Sequence, residues 1–83
     1  MRANYREQAA LLAAGYSFEY PGVWMRFVTV GAIEKLVTIA DGVSANGYAW
    51  EVQIEVNGET RSATEGFSSC AEAIAMVERE LLA

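Results

Sequence analysis

The fold is predicted most directly by the stretch Tyr48-Ala-Trp-Glu-Val-Gln-Ile-Glu-Val-Asn-Gly-Glu59, in which apolar and polar residues alternate. Successive side chains of a strand point to opposite faces, so this pattern predicts a strand with one apolar face and one acidic, amide-bearing face. Asn57-Gly58 follows directly, and both residues tolerate the positive φ of a tight hairpin turn. We therefore expect a half-buried strand of an antiparallel sheet that turns back at once.

The two faces of this strand predict different roles. The expected core residues are Trp50, Val52, Ile54 and Val56. On the other face, Glu51 and Glu55 are separated by roughly 13 Å along a strand, whereas the carboxylate pairs of glycosidases lie roughly 5–9.5 Å apart. The polar row of Glu51, Gln53 and Glu55 is therefore expected to be a solvated sheet face or a surface that recognises an Arg/Lys-rich partner.

The strand that returns from this turn, residues 59–65, has one hydrophobic residue and is expected at the sheet edge. A two-residue turn pairs Glu55 with Thr60, whereas a three-residue turn sets Glu55 beside Arg61. The further pairs that the two-residue turn predicts are Gln53 with Ser62 and Glu51 with Thr64.

Upstream, Pro21-Gly22 predicts a second hairpin through a type II turn. Its register places six aromatic or apolar residues on one face, pairing Tyr20 with Val23, Phe18 with Met25 and Tyr16 with Phe27. Trp24 then lies on the less apolar face with Arg26 and Glu19. A core position and an exposed anchor both remain open for Trp24, because tryptophan is intermediate in burial and enriched at interaction hot spots.

Helices are expected at both ends of the chain. The first, residues 4–14, begins at a capping box of Asn4 and Glu7, and its expected inner residues are Tyr5, Ala9 and Leu12. The last begins at a second capping box, Ser69 and Glu72. Its apolar stripe consists of Cys70, Ala73, Ile74, Val77 and Leu81, and its outward residues are Glu72, Glu78, Arg79 and Glu80.

Residues 32–41 fit two structures. Their polar and apolar positions segregate more cleanly at a period of 3.6 than at 2, which slightly favours a short third helix. The run Val37-Thr38-Ile39 is β-branched and equally suits a strand. Residues 42–47, which include two glycines, are expected to form a loop.

These elements predict one α+β domain spanning residues 1–83, with a single antiparallel sheet of about four strands and the terminal helices packed on its apolar face. The hydrophobic fraction of 53% and the charged fraction of 20% are typical of a packed globular protein. A single cysteine, and the absence of a run of roughly 20 apolar residues, predict a cytoplasmic chain that does not enter the membrane.

The net charge of −5 belongs to the second half of the chain. Residues 1–40 balance to +1, whereas residues 41–83 balance to −6. Six scattered basic residues are a poor footprint for phosphates, so direct binding of nucleic acid is not expected. The asymmetry instead favours a protein partner with a basic surface.

The usual catalytic constellations are absent from the sequence. The chain has no histidine, the usual general base and a common metal ligand, and no glycine-rich phosphate-binding motif. Cys70 falls at a helix start, where a thiol pKa is lowered, but it also belongs to an apolar stripe and is expected to be structural. Neither a catalytic residue nor a cofactor or metal site is therefore predicted.

Two resemblances bear on function. The order helix, sheet, helix is similar in outline to a double-stranded-RNA-binding domain, but that family's closing helix begins with lysines where this chain has Ser68-Ser-Cys-Ala-Glu72. The RNA-binding function is therefore not carried over. In size, acidity and lack of catalytic motifs, the chain resembles the small inhibitors that phages and mobile elements encode, anti-CRISPR proteins among them.

We therefore expect a non-enzymatic module that binds a basic, nucleic-acid-binding surface of another protein through the polar sheet face and edge, as a monomer or homodimer. The expected partner-binding residues are Glu19, Trp24, Arg26, Glu51, Gln53, Glu55 and Glu59. One alternative is a small-molecule-binding or hydrolytic domain with a Tyr/Glu/Arg pocket. Another is a homo-oligomer that assembles through a sheet edge or through its helices.

Overall fold

A computed structural model describes residues 4–41 and 50–82. Its elements are α1 (Tyr5–Ala13), β1 (Ser17–Tyr20), β2 (Val23–Val30), β3 (Ile33–Asp41), β4 (Trp50–Val56), β5 (Glu59–Phe67) and α2 (Cys70–Leu82). The strands form one antiparallel sheet in the order β1-β2-β3-β4-β5. The predicted α+β class and antiparallel sheet are confirmed, with five strands in the described ranges instead of about four.

The short third helix predicted near residues 32–41 is wrong, because this segment is the central strand β3. It pairs with β2 on one side and with β4 on the other. A central strand can carry apolar residues on both faces, so its pattern loses strict alternation and imitates helical spacing. The strand preference of the β-branched run Val37-Thr38-Ile39 therefore agrees with the structure, and the apparent helical period does not. The loop predicted at residues 42–47 lies outside the described residues.

The start of α1 follows the prediction, but its buried face does not. The capping box is complete, since the Asn4 N–H donates to Glu7 Oε1 and the Glu7 N–H donates to Asn4 Oδ1, both at 2.9 Å. The residue that enters the core is Leu11, whereas the predicted inner residues Tyr5, Ala9 and Leu12 are exposed. Alanine occupies several positions of this helix on different sides, so the hydrophobic pattern of α1 indicates its inner face only weakly.

The predicted start of α2 and four residues of its predicted apolar stripe are found in the structure, whereas the side chain of the fifth, Leu81, lies outside the described part. Ser69 Oγ accepts the Glu72 N–H at 3.2 Å, while the Glu72 side chain accepts the hydroxyl of Ser68 at 3.3 Å. One half of the predicted capping box is therefore formed. Cys70, Ala73 and Val77 are fully or almost fully buried, and Ile74 packs against them.

Both helices contribute to one core on one face of the sheet. α2 packs against β4 and β5, and α1 packs against α2. The buried hydrophobic residues are Leu11, Tyr16, Trp24, Val37, Ile39, Trp50, Val52, Ile54, Cys70, Ala73 and Val77. Three of the four residues predicted on β4 are therefore core; Val56 is half-buried because it adjoins the exposed turn at Asn57-Gly58.

The first hairpin has a different register from the predicted one. Tyr20 pairs with Val23 as expected, but a bulge between Phe18 and Tyr20 makes Phe18 pair with Trp24 instead of Met25. Gly22 has the positive φ of 85° that a type II turn requires at this position. A bulge shifts the pairing by one residue, and a shift of one residue exchanges the two faces of a strand.

The side of the sheet that the helices cover determines the role of two aromatic residues of β2. Trp24 lies in the core, 3% exposed, with its ring centroid 5.5 Å from that of Phe18 in an edge-to-face arrangement. Phe27, predicted on the apolar face, lies on the opposite side of the sheet and is 65% exposed. The expectation that Trp24 lies on the less apolar face is therefore wrong.

The second hairpin confirms the two-residue turn. Asn57 and Gly58 have φ values of 51° and 85°, and Glu55 pairs with Thr60. A bulge between Ile54 and Glu55 then shifts the remaining pairs. Gln53 pairs with Ala63 instead of Ser62, and Glu51 pairs with Glu65 instead of Thr64. β5 forms one edge of the sheet, as predicted.

Candidate functional site

The sheet presents one face away from both helices, and we call it the open face. Directly paired residues of antiparallel strands share a face, so the strand registers define its members. On the three central strands these are Val23, Met25, Phe27 and Thr29 of β2, Glu34, Leu36, Thr38 and Ala40 of β3, and Glu51, Gln53 and Glu55 of β4. The polar row predicted from the sequence therefore lies on the open face, where its three side chains are half-buried.

The open face of β2–β4 is acidic without compensation. Its members include the carboxylates of Glu34, Glu51 and Glu55 and neither lysine nor arginine. The basic residues of the described part lie elsewhere: Arg26 and Lys35 on the helix-bearing face, Arg61 in an exposed pair with Glu59 at 3.3 Å, and Arg6 and Arg79 on the helices. Such a surface attracts a cationic partner and repels an anionic one.

Apolar side chains continue the open face beside these carboxylates. Phe27 pairs with Leu36, and Leu36 pairs in turn with Glu55. One row across the sheet thus passes from an exposed aromatic ring through an aliphatic side chain to a carboxylate. Because both charged and apolar groups are accessible, this surface can take up a side chain that has an aliphatic stem and a cationic head.

Gln53 holds Glu55 in position. Its Nε2 donates to Glu55 Oε1 at 3.0 Å and to Thr60 Oγ1 at 3.2 Å. These two bonds use both hydrogens of the amide and join β4 to β5 at the open face. The Glu55 carboxylate is therefore held by one of its oxygen atoms while the other can accept a bond from a partner.

The structure separates the predicted partner-binding residues. Glu51, Gln53 and Glu55 lie together on the open face, and Glu59 follows nearby at the exposed start of β5. Glu19 is exposed on β1, at the other end of the strand order. Trp24 and Arg26 lie on the face that carries the helices, and burial of Trp24 excludes it from a surface contact.

A cavity of about 220 Å³ opens on this face at the end of the sheet that carries the Asn57-Gly58 turn. Its lining residues are Phe27, Glu34, Leu36, Glu55, Asn57 and Gly58. Pockets for drug-sized molecules and cofactors usually measure roughly 300–1,000 Å³, so this cavity suits a smaller group. We call it the Phe27–Glu55 pocket.

The backbone of Glu34, the residue that carries the second carboxylate of the Phe27–Glu55 pocket, is bonded to the turn after β4. The Glu34 N–H donates to Asn57 Oδ1 at 3.1 Å, and the Asn57 N–H donates to the Glu34 carbonyl oxygen at 2.9 Å. This two-bond bridge ties the start of β3 to the turn after β4. Glu34 is the diagonal neighbour of Glu55, a position whose Cα atom is typically about 7–8 Å away.

Sequence reasoning missed Phe27, Leu36 and Glu34 as site residues. The predicted hairpin register places Phe27 on the apolar face, and Leu36 and Glu34 belong to the segment predicted as a helix. The Asn57-Gly58 turn predicts the pairing of Glu55 with Thr60, but no sequence pattern indicates that β3 lies beside β4. The pocket depends on that position.

Two buried groups of the described part are poor candidates for chemistry. Burial raises the pKa of the Cys70 thiol to about 11, so the reactive thiolate is scarce at neutral pH. Burial likewise raises the pKa of Tyr16 to about 12. Among the described residues, no cluster of three or more His, Cys, Asp or Glu side chains could hold a metal ion.

Asp41 is a buried carboxylate on the helix-bearing face. It is 8% exposed, and its Oδ2 has no hydrogen-bond partner among residues 4–41 and 50–82. Burial raises its pKa above the ordinary value of 3.8, and the nearby charge of Glu7 acts in the same direction. The folded state therefore opposes ionisation of this group.

We expect Asp41→Asn to stabilise the protein at neutral pH. In the wild type, the unfolded carboxyl ionises first as the pH rises through 3.8, so stability is lost until the pH exceeds the raised folded pKa. Asparagine does not ionise, so the variant keeps this part of the free energy of unfolding at neutral pH. Its gain over the wild type should vanish at low pH, where Asp41 is protonated in both states. Urea denaturation between acidic and neutral pH measures it. Glu80→Gln, at an exposed position of α2, is the control; a pH-independent difference for Asp41→Asn would contradict this account.

The fold and the site define a class: a small α+β domain whose helices pack on one face of a five-stranded antiparallel meander and leave an acidic face uncovered by them. No protein-family model, curated protein or solved structure matches this chain. Neither helix in the described ranges combines the length and hydrophobicity needed to span a bilayer.

Proposed function

We propose that this chain is a non-enzymatic protein-binding module that captures a basic surface of another protein on its open face. The observation that carries the proposal is the set of three carboxylates on β2–β4 without a lysine or arginine on the same face. A fold that places both helices on the other side keeps this surface accessible. Exposed apolar residues beside the carboxylates add contact area that a purely charged surface would lack.

We further propose an inhibitor role for the module, with a nucleic-acid-binding site as the basic surface that it covers. Sites that bind phosphates depend on clustered lysine and arginine, and an acidic face competes for the same groups. The net charge of −5 supports this role because it speeds encounter with a cationic target and slows encounter with nucleic acid itself.

The proposal is tested by two variants of equal charge. Glu51→Lys with Glu55→Lys reverses two charges on the open face, while Glu72→Lys with Glu80→Lys reverses two exposed charges on α2. Tagged wild-type and variant proteins are used to capture partners from a nuclease-treated host lysate. We expect a basic protein retained by the wild type and the α2 variant, and bound at least about tenfold more weakly by the open-face variant.

Affinity of the purified partner is then measured at increasing salt concentration. Binding by the wild type should weaken with salt, and the open-face variant should show a smaller salt dependence. Equal binding by the wild type and the open-face variant would overturn the proposal. Retention of only acidic proteins would do the same, because like charges oppose the contact.

A further inference from the structure

The Phe27–Glu55 pocket joins three features that a single arginine side chain requires. An aromatic ring is exposed at one wall, because Phe27 is 65% exposed. Leu36 lies between this ring and Glu55, where an aliphatic stem can pack. The carboxylates of Glu34 and Glu55 lie on the remaining side. The volume of about 220 Å³ is on the scale of one side chain.

Arginine fits these walls better than lysine does. A guanidinium is planar, so it can stack on the Phe27 ring while its N–H groups bond carboxylate oxygens in its own plane. An ammonium is a more strongly hydrated point charge and gains less from the ring. The carboxylates of two diagonal neighbours can accept from different N–H groups of one guanidinium fork.

The pocket is held in shape before any partner arrives. Gln53 fixes Glu55 through its bond of 3.0 Å, and the bridge to Asn57 fixes the backbone of Glu34. The chain's own cations do not compensate these carboxylates in the described part: Arg26 bonds Glu78, Lys35 lies on the other face and Arg61 pairs with Glu59. The held carboxylate of Glu55 and the fixed backbone of Glu34 reduce the ordering that binding would otherwise require.

We infer that the Phe27–Glu55 pocket receives one arginine side chain of the basic protein partner, between the ring of Phe27 and the carboxylates of Glu34 and Glu55. This inference rests on the proposed function, since it names the partner's side chain that the open face binds. The arginine acts as the anchor of the contact, and the adjoining row of Met25, Thr38 and Gln53 adds weaker interactions beside it.

The test is a titration of the full chain with acetyl-Gly-Gly-Arg-Gly-Gly-amide, followed through backbone amide chemical shifts. Matched peptides carry lysine or uncharged citrulline in place of arginine. We expect shifts centred on Leu36, Glu55 and Gly58, with affinity about tenfold lower for the citrulline peptide. The lysine peptide should bind more weakly than the arginine peptide.

Three variants locate the site. Glu55→Gln should lower the affinity for the arginine peptide by at least about fivefold. Glu51→Gln, on the same strand and face but outside the pocket, should change this affinity little. Phe27→Leu keeps an apolar wall but removes the aromatic ring, so it should abolish the preference for arginine over lysine.

The outcomes separate the inference from the function on which it rests. Chemical-shift changes centred on Glu51 instead of the pocket, or equal binding of the lysine and arginine peptides, would overturn the inference of an arginine-binding pocket. Either result would still leave an acidic face that attracts cations. If no cationic peptide changes the chemical shifts of open-face residues, or if the citrulline peptide binds as well as the arginine peptide, both the arginine-binding pocket and the proposed function fail.

Discussion

Trp24→Ala is expected to cost about 3–5 kcal/mol of the free energy of unfolding, because it empties the space of a large aromatic side chain in the core. Trp24 is 3% exposed and contacts the ring of Phe18 edge to face. A domain of this length has a total stability of about 4–12 kcal/mol. The loss is therefore a large fraction of the whole and should lower Tm by at least about 12 °C.

Phe27→Ala is the matched control on the same strand. Its side chain is 65% exposed on the open face, so its removal should change the free energy of unfolding by no more than about 0.5 kcal/mol. Thermal and urea denaturation, followed by far-ultraviolet circular dichroism, measure both variants. Trp24→Phe provides a smaller cavity if the alanine variant does not fold. A larger loss for Phe27→Ala than for Trp24→Ala would mean that the two faces of β2 are exchanged.

Glu78→Gln is expected to cost about 1–3 kcal/mol, since it leaves the guanidinium of Arg26 without its charged partner. Arg26 Nη1 bonds Glu78 Oε1 at 2.6 Å, and their side chains are 25% and 41% exposed. The guanidinium carbon of Arg26 also lies 5.9 Å from the ring centroid of buried Tyr16. This pair therefore connects β2 to α2 at the edge of the core, where solvent screens it only in part.

Glu59→Gln is the control for this effect. It removes the same charge from the pair with Arg61, whose side chains are 65% and 75% exposed and 3.3 Å apart. Exposed pairs contribute about 0–1 kcal/mol, so the control should be almost neutral. Urea denaturation of Glu78→Gln, of Arg26→Met and of the double variant gives the coupling energy between Arg26 and Glu78. If Glu78→Gln lowers the free energy of unfolding no more than Glu59→Gln does, the Arg26–Glu78 pair contributes no more than an exposed ion pair.

The outward position predicted for Glu78 shows where sequence reasoning reaches its limit. The periodicity of α2 correctly placed Cys70, Ala73 and Val77 in the core. Glu78 follows Val77 along the helix, and a long carboxylate there can turn either to water or to a neighbour. Its partner lies 52 residues away on β2, and no local pattern indicates that distance.

The candidate site divides in the same way. The alternation of β4 correctly predicted that Glu51, Gln53 and Glu55 share a face, because that follows from the geometry of one strand. The pocket residues of β2 and β3 came from pairings between strands. A register is a property of two strands, and the bulge between Phe18 and Tyr20 moved Phe18 from the predicted Met25 side of the hairpin to the Trp24 side.

The sequence alone determined the features that arise within a few residues: the capping box at Asn4, the Asn57-Gly58 turn, and the two-sided character of β4. Each of these depends on hydrogen bonds or backbone preferences between near neighbours. Only the tertiary structure determined that residues 33–41 form a central strand, that Trp24 is core and that Phe27 faces outward. Those outcomes depend on which side of the sheet the helices cover, and burial against a distant element outweighs a weak local preference.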